Sequence, residues 1–224
     1  DTAFGCRLTA VPGRGLDETF RIAFNSVCLP LTWRLLEPAE STYRWEEADQ
    51  LCAWATERNL QIFAGPLVDL SESGLPDYIL HGNHDSVSLK SLLCDYVETV
   101  VSRYRGKVSR WLIGSGFNGP PALKLSEEEQ IRLAALACDA AWQIDSNLQV
   151  VLGLSRPWGE YLLQPRYEYS SFVYADTLLR AGLPFAGVEV ELFLGSSTRG
   201  SYCRDLLEIS QYLDTIGQFG VPVQ

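Results

Sequence analysis

Six short apolar runs of strand length stand along this chain, the last five each giving way to a longer segment with helical period, and this alternation limits the fold more than any other feature. The expected strands are FGCRLTA (4–10), FNSVCLPL (24–31), LQIFAGPLV (60–68), VSRWLIGS (108–115), LQVVLGLS (148–155) and FAGVEVELFL (185–194), with GVPVQ (220–224) opening a seventh. Amphipathic stretches at 45–59, 86–104, 126–144, 169–180 and 204–217 are the expected helices. Ser126 followed by Glu129 is a capping box, and Arg180-Ala181-Gly182 and Gly217 supply helix stops. The strands read as nearly continuous apolar runs, as strands covered by helices must. A doubly wound sheet usually opens with a Gly-rich phosphate turn, whereas Ala10 is followed by VPGRG without G-x-G-x-x-G. The sequence therefore predicts an incomplete (β/α)8 TIM barrel, of about six βα units plus the start of a seventh strand, as one domain over residues 1–224.

A hydrophobic fraction of 46% over 224 residues supplies the core that such a barrel needs. No apolar run is long enough to span a bilayer, so no membrane partner is expected. The first residues carry neither a basic leader nor an apolar signal core, so Asp1 is expected to be an internal position of a larger polypeptide. A net charge of -10 argues against nucleic acid, because phosphate binding needs clustered cations and the 18 basic residues are scattered among 28 acidic ones. A neutral polysaccharide or oligosaccharide suits this balance, although acidity also serves solubility alone. The six cysteines form no C-x-x-C pair, and none lies near His81 or His84, so neither a metal site nor a cofactor is expected. Cys52, Cys94 and Cys138 fall on apolar helical stripes, where a thiol packs as a small core residue.

Several motifs recur in one order: Phe24-Asn25, Glu37-Pro38, Trp45, Ala48-Asp49, Leu67-Val68, Leu75-Pro76 with Tyr78, and RYRGKVSRW at 103–111. In this order they resemble the glycoside hydrolase family 10 xylanases, and AGLPFAGVEVELFL is similar to that family's sixth unit. The resemblance implies a barrel acting on glycans through two carboxyl groups about 5–5.5 Å apart. In the family the acid/base glutamate ends the fourth strand in W-D-V-V-N-E. Here the matching residues are Trp111, Leu112, Ile113, Gly114, Ser115 and Gly116, so Ser115 holds the Asn position and Gly116 the Glu position. The pattern G-H-x-L-V-W-H on the third strand's turn is replaced by Ala64 to Leu70, and of P-E-N-E-x-K-W only Pro30 and Trp33 remain. The family's nucleophile would by alignment follow Gln224. The mouth is accordingly expected to hold no carboxyl oxygen near Gly116.

Other groups are expected at the C-terminal ends of the strands, where barrel sites form. Trp33, Asp69, Asn118, Arg156, Trp158 and Tyr161 are the candidate substrate-binding residues, and Glu160 and Glu191 the candidate acids. Aromatics at such ends also serve as plain core. Glu189 and Glu191 are two apart and share one strand face, which alternation turns inward. Burial would raise both pKa values and fit one for proton donation, while the competing reading is a structural network with Arg or Lys. Two functions follow. One is a family 10-like barrel that has lost the standard acid/base and serves as a carbohydrate-binding or scaffold domain. The other is an active O-glycosyl hydrolase on β-1,4-linked plant polysaccharide, endo-xylanase-like, with a relocated acid. A barrel enzyme of different chemistry is a third possibility.

Overall fold

The computed structural model describes residues 2–13, 15–193 and 204–224. In chain order the strands are β1 (Gly5–Arg7), β2 (Ser26–Leu29), β3 (Gln61–Ala64), β4 (Val68–Asp69), β5 (Arg110–Leu112), β6 (Gly114–Ser115), β7 (Val150–Leu154) and β8 (Gly187–Val190). The helices are α1 (Asp17–Ala23), α2 (Trp33–Leu36), α3 (Glu46–Glu57), α4 (Asp77–Leu80), α5 (Ser86–Tyr104), α6 (Glu127–Ile144), α7 (Ser171–Arg180) and α8 (Leu206–Gly217). Every strand pairing is parallel, in the order β1-β2-β3-β5-β7-β8, with β4 and β6 forming a second short pair. Sequential parallel strands joined by helices make this the incomplete (β/α)8 barrel that the alternation predicts. Val223 bridges Val188 in parallel, so the expected seventh strand pairs on β8. The far end of the sixth expected strand, at Leu194, and Cys203 lie outside the described residues.

The helices form where apolar residues recur at helical spacing. In α5, Leu89, Leu93, Tyr96, Val97, Val100, Val101 and Tyr104 are buried, one stripe along five turns. Alongside it, α6 buries Leu133, Ala134, Ala137, Cys138, Ala140 and Ala141, whose small side chains let the two helices approach closely. Ser126 and Glu129 make the reciprocal capping bonds that the sequence predicts. Gly182 stops α7 in the left-handed region, at φ 83°. Gly217, in contrast, is the last residue of α8 itself, and the left-handed turn comes later, at Gly220. All of β7 is buried, as a strand sandwiched between barrel interior and helices should be.

The motifs behind the family resemblance meet in space. Asp49, on α3, accepts hydrogen bonds from the Arg103 guanidinium and, at 2.9 Å, from the Tyr104 hydroxyl on α5. Arg103 also lies over the Trp45 ring, 4.6 Å from its centroid, and Trp45 stacks on Tyr43 at 4.7 Å. These residues lock α3 and the segment before it against α5, which is a structural role.

The third and fourth strands each run as two pieces. Leu67 and Val68 donate to the carbonyls of Leu112 and Ile113, at 3.1 and 2.9 Å, so the chain after β3 steps along the chain after β5. The step begins at Gly65, with φ 126°, where an added Cβ would stand 2.1 Å from the Leu112 carbonyl oxygen. Only glycine has the conformational freedom and the lack of volume required there. Gly65→Ala is expected to destabilise the protein by roughly 2–4 kcal/mol in urea unfolding, through left-handed strain together with overpacking. A change within about 0.5 kcal/mol would show that the step is not needed.

Candidate functional site

Because the strands are parallel, their C-terminal ends share one rim, and the kinked pair β4-β6 sits in its centre. Asp69 pairs in register with Ser115, which puts its side chain beside the end of the fourth barrel strand. Gly116 follows in the left-handed region at φ 73°, and the point where its Cβ would stand is 3.2 Å from Asp69 Oδ1. The expectation of a mouth without a carboxyl near Gly116 is thereby corrected. Asp69 occupies the space that a side chain at position 116 would need, because the step at Gly65 slides β4 alongside β6. The same Oδ1 accepts the Ser71 backbone N–H at 2.9 Å, which fixes the carboxyl's orientation.

A second carboxyl faces it from the sixth strand. Ser115 Oγ donates to Glu191 Oε2 at 3.3 Å, across the interior from the fourth strand to the sixth. Both glutamates are partly buried, whereas Val188 on the alternate face is wholly buried under the helices. Burial holds the Glu191 carboxyl above the ordinary range, and the charge of Asp69 raises it further, against smaller opposing effects of Arg7 and Ser115. Burial likewise raises Glu189, and the charge of Arg7 opposes this. Arg7 comes from β1, at the far edge of the sheet, so the two edges curl far enough to couple electrostatically across the interior. Cys28, paired in register with Arg7, adds a thiol that burial pushes up. Sequence reasoning missed Arg7, although a cation ending the short strand GCR was its visible signal.

The other sequence candidates are dispersed. Trp33 is fully buried, stacked on Tyr96 at 5.1 Å, with its indole N–H donating to Glu37 at 2.8 Å. Its role is in the core, because Glu37 and the Tyr78 hydroxyl take its only polar group. Tyr161 is 4% exposed and donates its hydroxyl to the Tyr169 carbonyl, so its ring offers no open face for a sugar. Asn118 is also buried and clamps Ser155, accepting its N–H and its hydroxyl at 3.0 Å each. Trp158 is half-buried, with the Arg204 guanidinium over its ring at 4.9 Å. Glu160 is drawn to Arg204 at 3.5 Å, and among the described residues no hydrogen bond or ion pair links it to Asp69 or Glu191. Arg156 is exposed at the end of β7. Thus Asp69, Glu191 and Arg156 are the candidates neither buried nor engaged by Arg204. A cleft of about 670 Å³ lies elsewhere, between segments 121–128 and 166–169, away from the two carboxyls.

Among the described residues no group of His, Cys, Asp and Glu could hold a metal ion, and no helix is long and apolar enough to cross a membrane. A model of glycosyl hydrolase family 10 matches residues 15–113, ending three residues before Gly116. Endo-1,4-beta-xylanase A of Fusarium oxysporum f. sp. lycopersici is 32% identical over 81 residues, covering 36% of this chain and 24% of that protein. Endo-1,4-beta-xylanase 3 of Hypocrea jecorina is 25% identical over 183 residues, covering 76% of this chain and 50% of that protein. Among solved structures, a family 10 endoxylanase retrieved from a sugarcane soil metagenome superposes with a TM-score of 0.77 at 16% identity, over 100% of this chain and 66% of that one. A xylanase of Cellvibrio japonicus in complex with xylopentaose gives 0.79 at 14% identity, over 100% of this chain and 46% of that one. The chain thus spans a quarter to a half of these curated relatives. The structures establish the barrel fold, and the sequence matches support membership of glycosyl hydrolase family 10.

The raised Glu191 carboxyl sets a pH dependence. A carboxyl whose folded pKa lies above its unfolded value binds the extra proton in the folded state, so its contribution is full at acid pH and is lost as pH rises through the folded pKa. Glu191→Gln, which stays neutral, is therefore expected to match the parent in stability near pH 4 and to exceed it increasingly toward pH 7. Urea midpoints measured across that range check this, and a pH-independent difference would refute it.

Proposed function

We propose that this barrel acts on a β-1,4-linked plant polysaccharide of the xylan kind as an O-glycosyl hydrolase whose acid has moved from position 116 to the pair Glu191 and Asp69. The observation that carries this reading is the Asp69 carboxyl in the space beside Gly116, facing a Glu191 carboxyl held above its ordinary range. A pair of carboxyls in unequal environments is what glycoside hydrolysis requires. Glu191, favoured in its protonated form, would give its proton to the leaving glycosidic oxygen as the bond to the anomeric carbon breaks and water adds to that carbon, the proton released by the water restoring the Glu191 acid. Asp69, oriented by the Ser71 N–H, would face the positive charge that develops on the sugar. Ser115 orients Glu191 by its hydrogen bond. On this reading residues 1–224 make up one barrel domain of a larger polypeptide, which supplies the remaining units and any nucleophile. The xylopentaose bound by the Cellvibrio japonicus relative supports a xylan-type ligand.

A second reading keeps the glycan and drops the chemistry. It is favoured by Ser115 and Gly116 at the positions where the resemblance puts the family's Asn and acid/base Glu. The barrel would then bind polysaccharide as a carbohydrate-binding or scaffold domain, since fold alone confers no activity. Release of reducing sugar from β-1,4-xylan by the full polypeptide separates the two. The enzyme reading expects turnover in the parent and losses of about 10²-fold or more in Asp69→Asn and in Glu191→Gln. Retained xylan binding without turnover in the parent moves the assignment to the binder.

A further inference from the structure

Arg156 occupies an unusual position on the rim. Strand β7 ends at Leu154, and the next residue, Ser155, is buried and tied to the loop after the fourth strand by both functional groups of Asn118. Directly after this clamp Arg156 takes φ 50°, in the left-handed region where a residue with a Cβ is strained by about 1 kcal/mol or more. Its stem passes over Gly119, with Cδ 3.3 Å from where a Cβ there would stand, so the absent side chain leaves the path clear. The guanidinium is exposed, and among the described residues no carboxylate forms an ion pair with it. The other non-glycine residues at positive φ, Ser41 and Asn59, sit in the turn after α2 and in the turn that leads into the start of β3, away from the C-terminal strand ends.

An exposed arginine in a protein of net charge -10 would ordinarily be drawn to one of its 28 carboxylates. Here a buried hydrogen-bonded clamp forces the backbone into a costly conformation and leaves the cation at the mouth facing solvent. We infer that Arg156 is a specificity-determining residue that takes the carboxylate of an acidic sugar, so that the glycan received at this mouth carries uronate substituents. The guanidinium fork matches a carboxylate with two parallel hydrogen bonds, a geometry that a neutral hydroxyl-bearing sugar cannot repay equally. This inference rests on the glycan reading above and adds the charge of the ligand to it.

The test uses the full polypeptide and two defined probes, a β-1,4-xylo-oligosaccharide with one glucuronic acid branch and the same backbone without it. Calorimetry is expected to show the branched probe binding about three- to tenfold tighter, as for a partly exposed charge-assisted pair. That preference should shrink in 1 M salt. In Arg156→Gly the ratio of the two affinities should fall to near one. Glycine is at ease at this φ, so the variant's melting temperature should hold or rise, which separates lost recognition from misfolding. Equal affinities in the parent, or a preference that survives in Arg156→Gly, would overturn the inference and leave the glycan reading standing. Binding of neither probe would overturn both.

Discussion

The parallel hydrogen-bonded sheet is the constraint on which everything else depends. Six strands in sequential order must all end on the same rim, so residues from β4, β6, β7 and the end of β8 converge however far apart they stand in the chain. Within that frame one local device decides the chemistry of the mouth. The glycine step at position 65 lets segment 67–70 follow the backbone of 112–115, and this brings Asp69 beside Ser115 and Gly116. A larger residue at 65 would clash with the Leu112 carbonyl, and one at 116 would crowd Asp69.

The two faces of the sheet solve different problems. Helices cover the outer face, which is apolar through Val188, Leu152 and their neighbours, and this burial supplies the bulk of the stability at about 1.5–3 kcal/mol per large side chain. The inner face carries Arg7, Glu189 and Glu191. One cation serves two carboxyls there, and burial together with the charge of Asp69 raises the Glu191 carboxyl above its ordinary range. A structural network and a functional carboxyl are therefore compatible. Arg7 acts on both glutamates, while Glu191 also meets the Asp69 charge and the Ser115 hydroxyl.

Burial also explains why most aromatic candidates left the mouth. Trp33 and Tyr161 each have one polar atom and a large apolar ring, and each finds a nearby acceptor inside the protein. Trp158 keeps a partly open ring but gives a face to Arg204. What remains open among the candidates besides Trp158 is charge, from Asp69, Glu191 and Arg156.

The sequence by itself determined the architecture. Apolar runs and amphipathic stretches placed α5 at its observed limits, α6 within one residue and the Ser126 capping box correctly, because these depend on local periodicity and on side chains three residues apart. It also determined that Glu189 and Glu191 share a face, since strand alternation is a local rule. The breaks in the third and fourth strands were not legible, because they arise where two distant segments press together at Gly65 and Leu112. Nor was the contact between Asp69 and position 116. From sequence, Gly116 reads as a loss, and Asp69 is 47 residues earlier with nothing local to connect them. Tertiary structure alone decided that they meet, because the register of two parallel strands is set by the whole sheet and not by either strand's own residues.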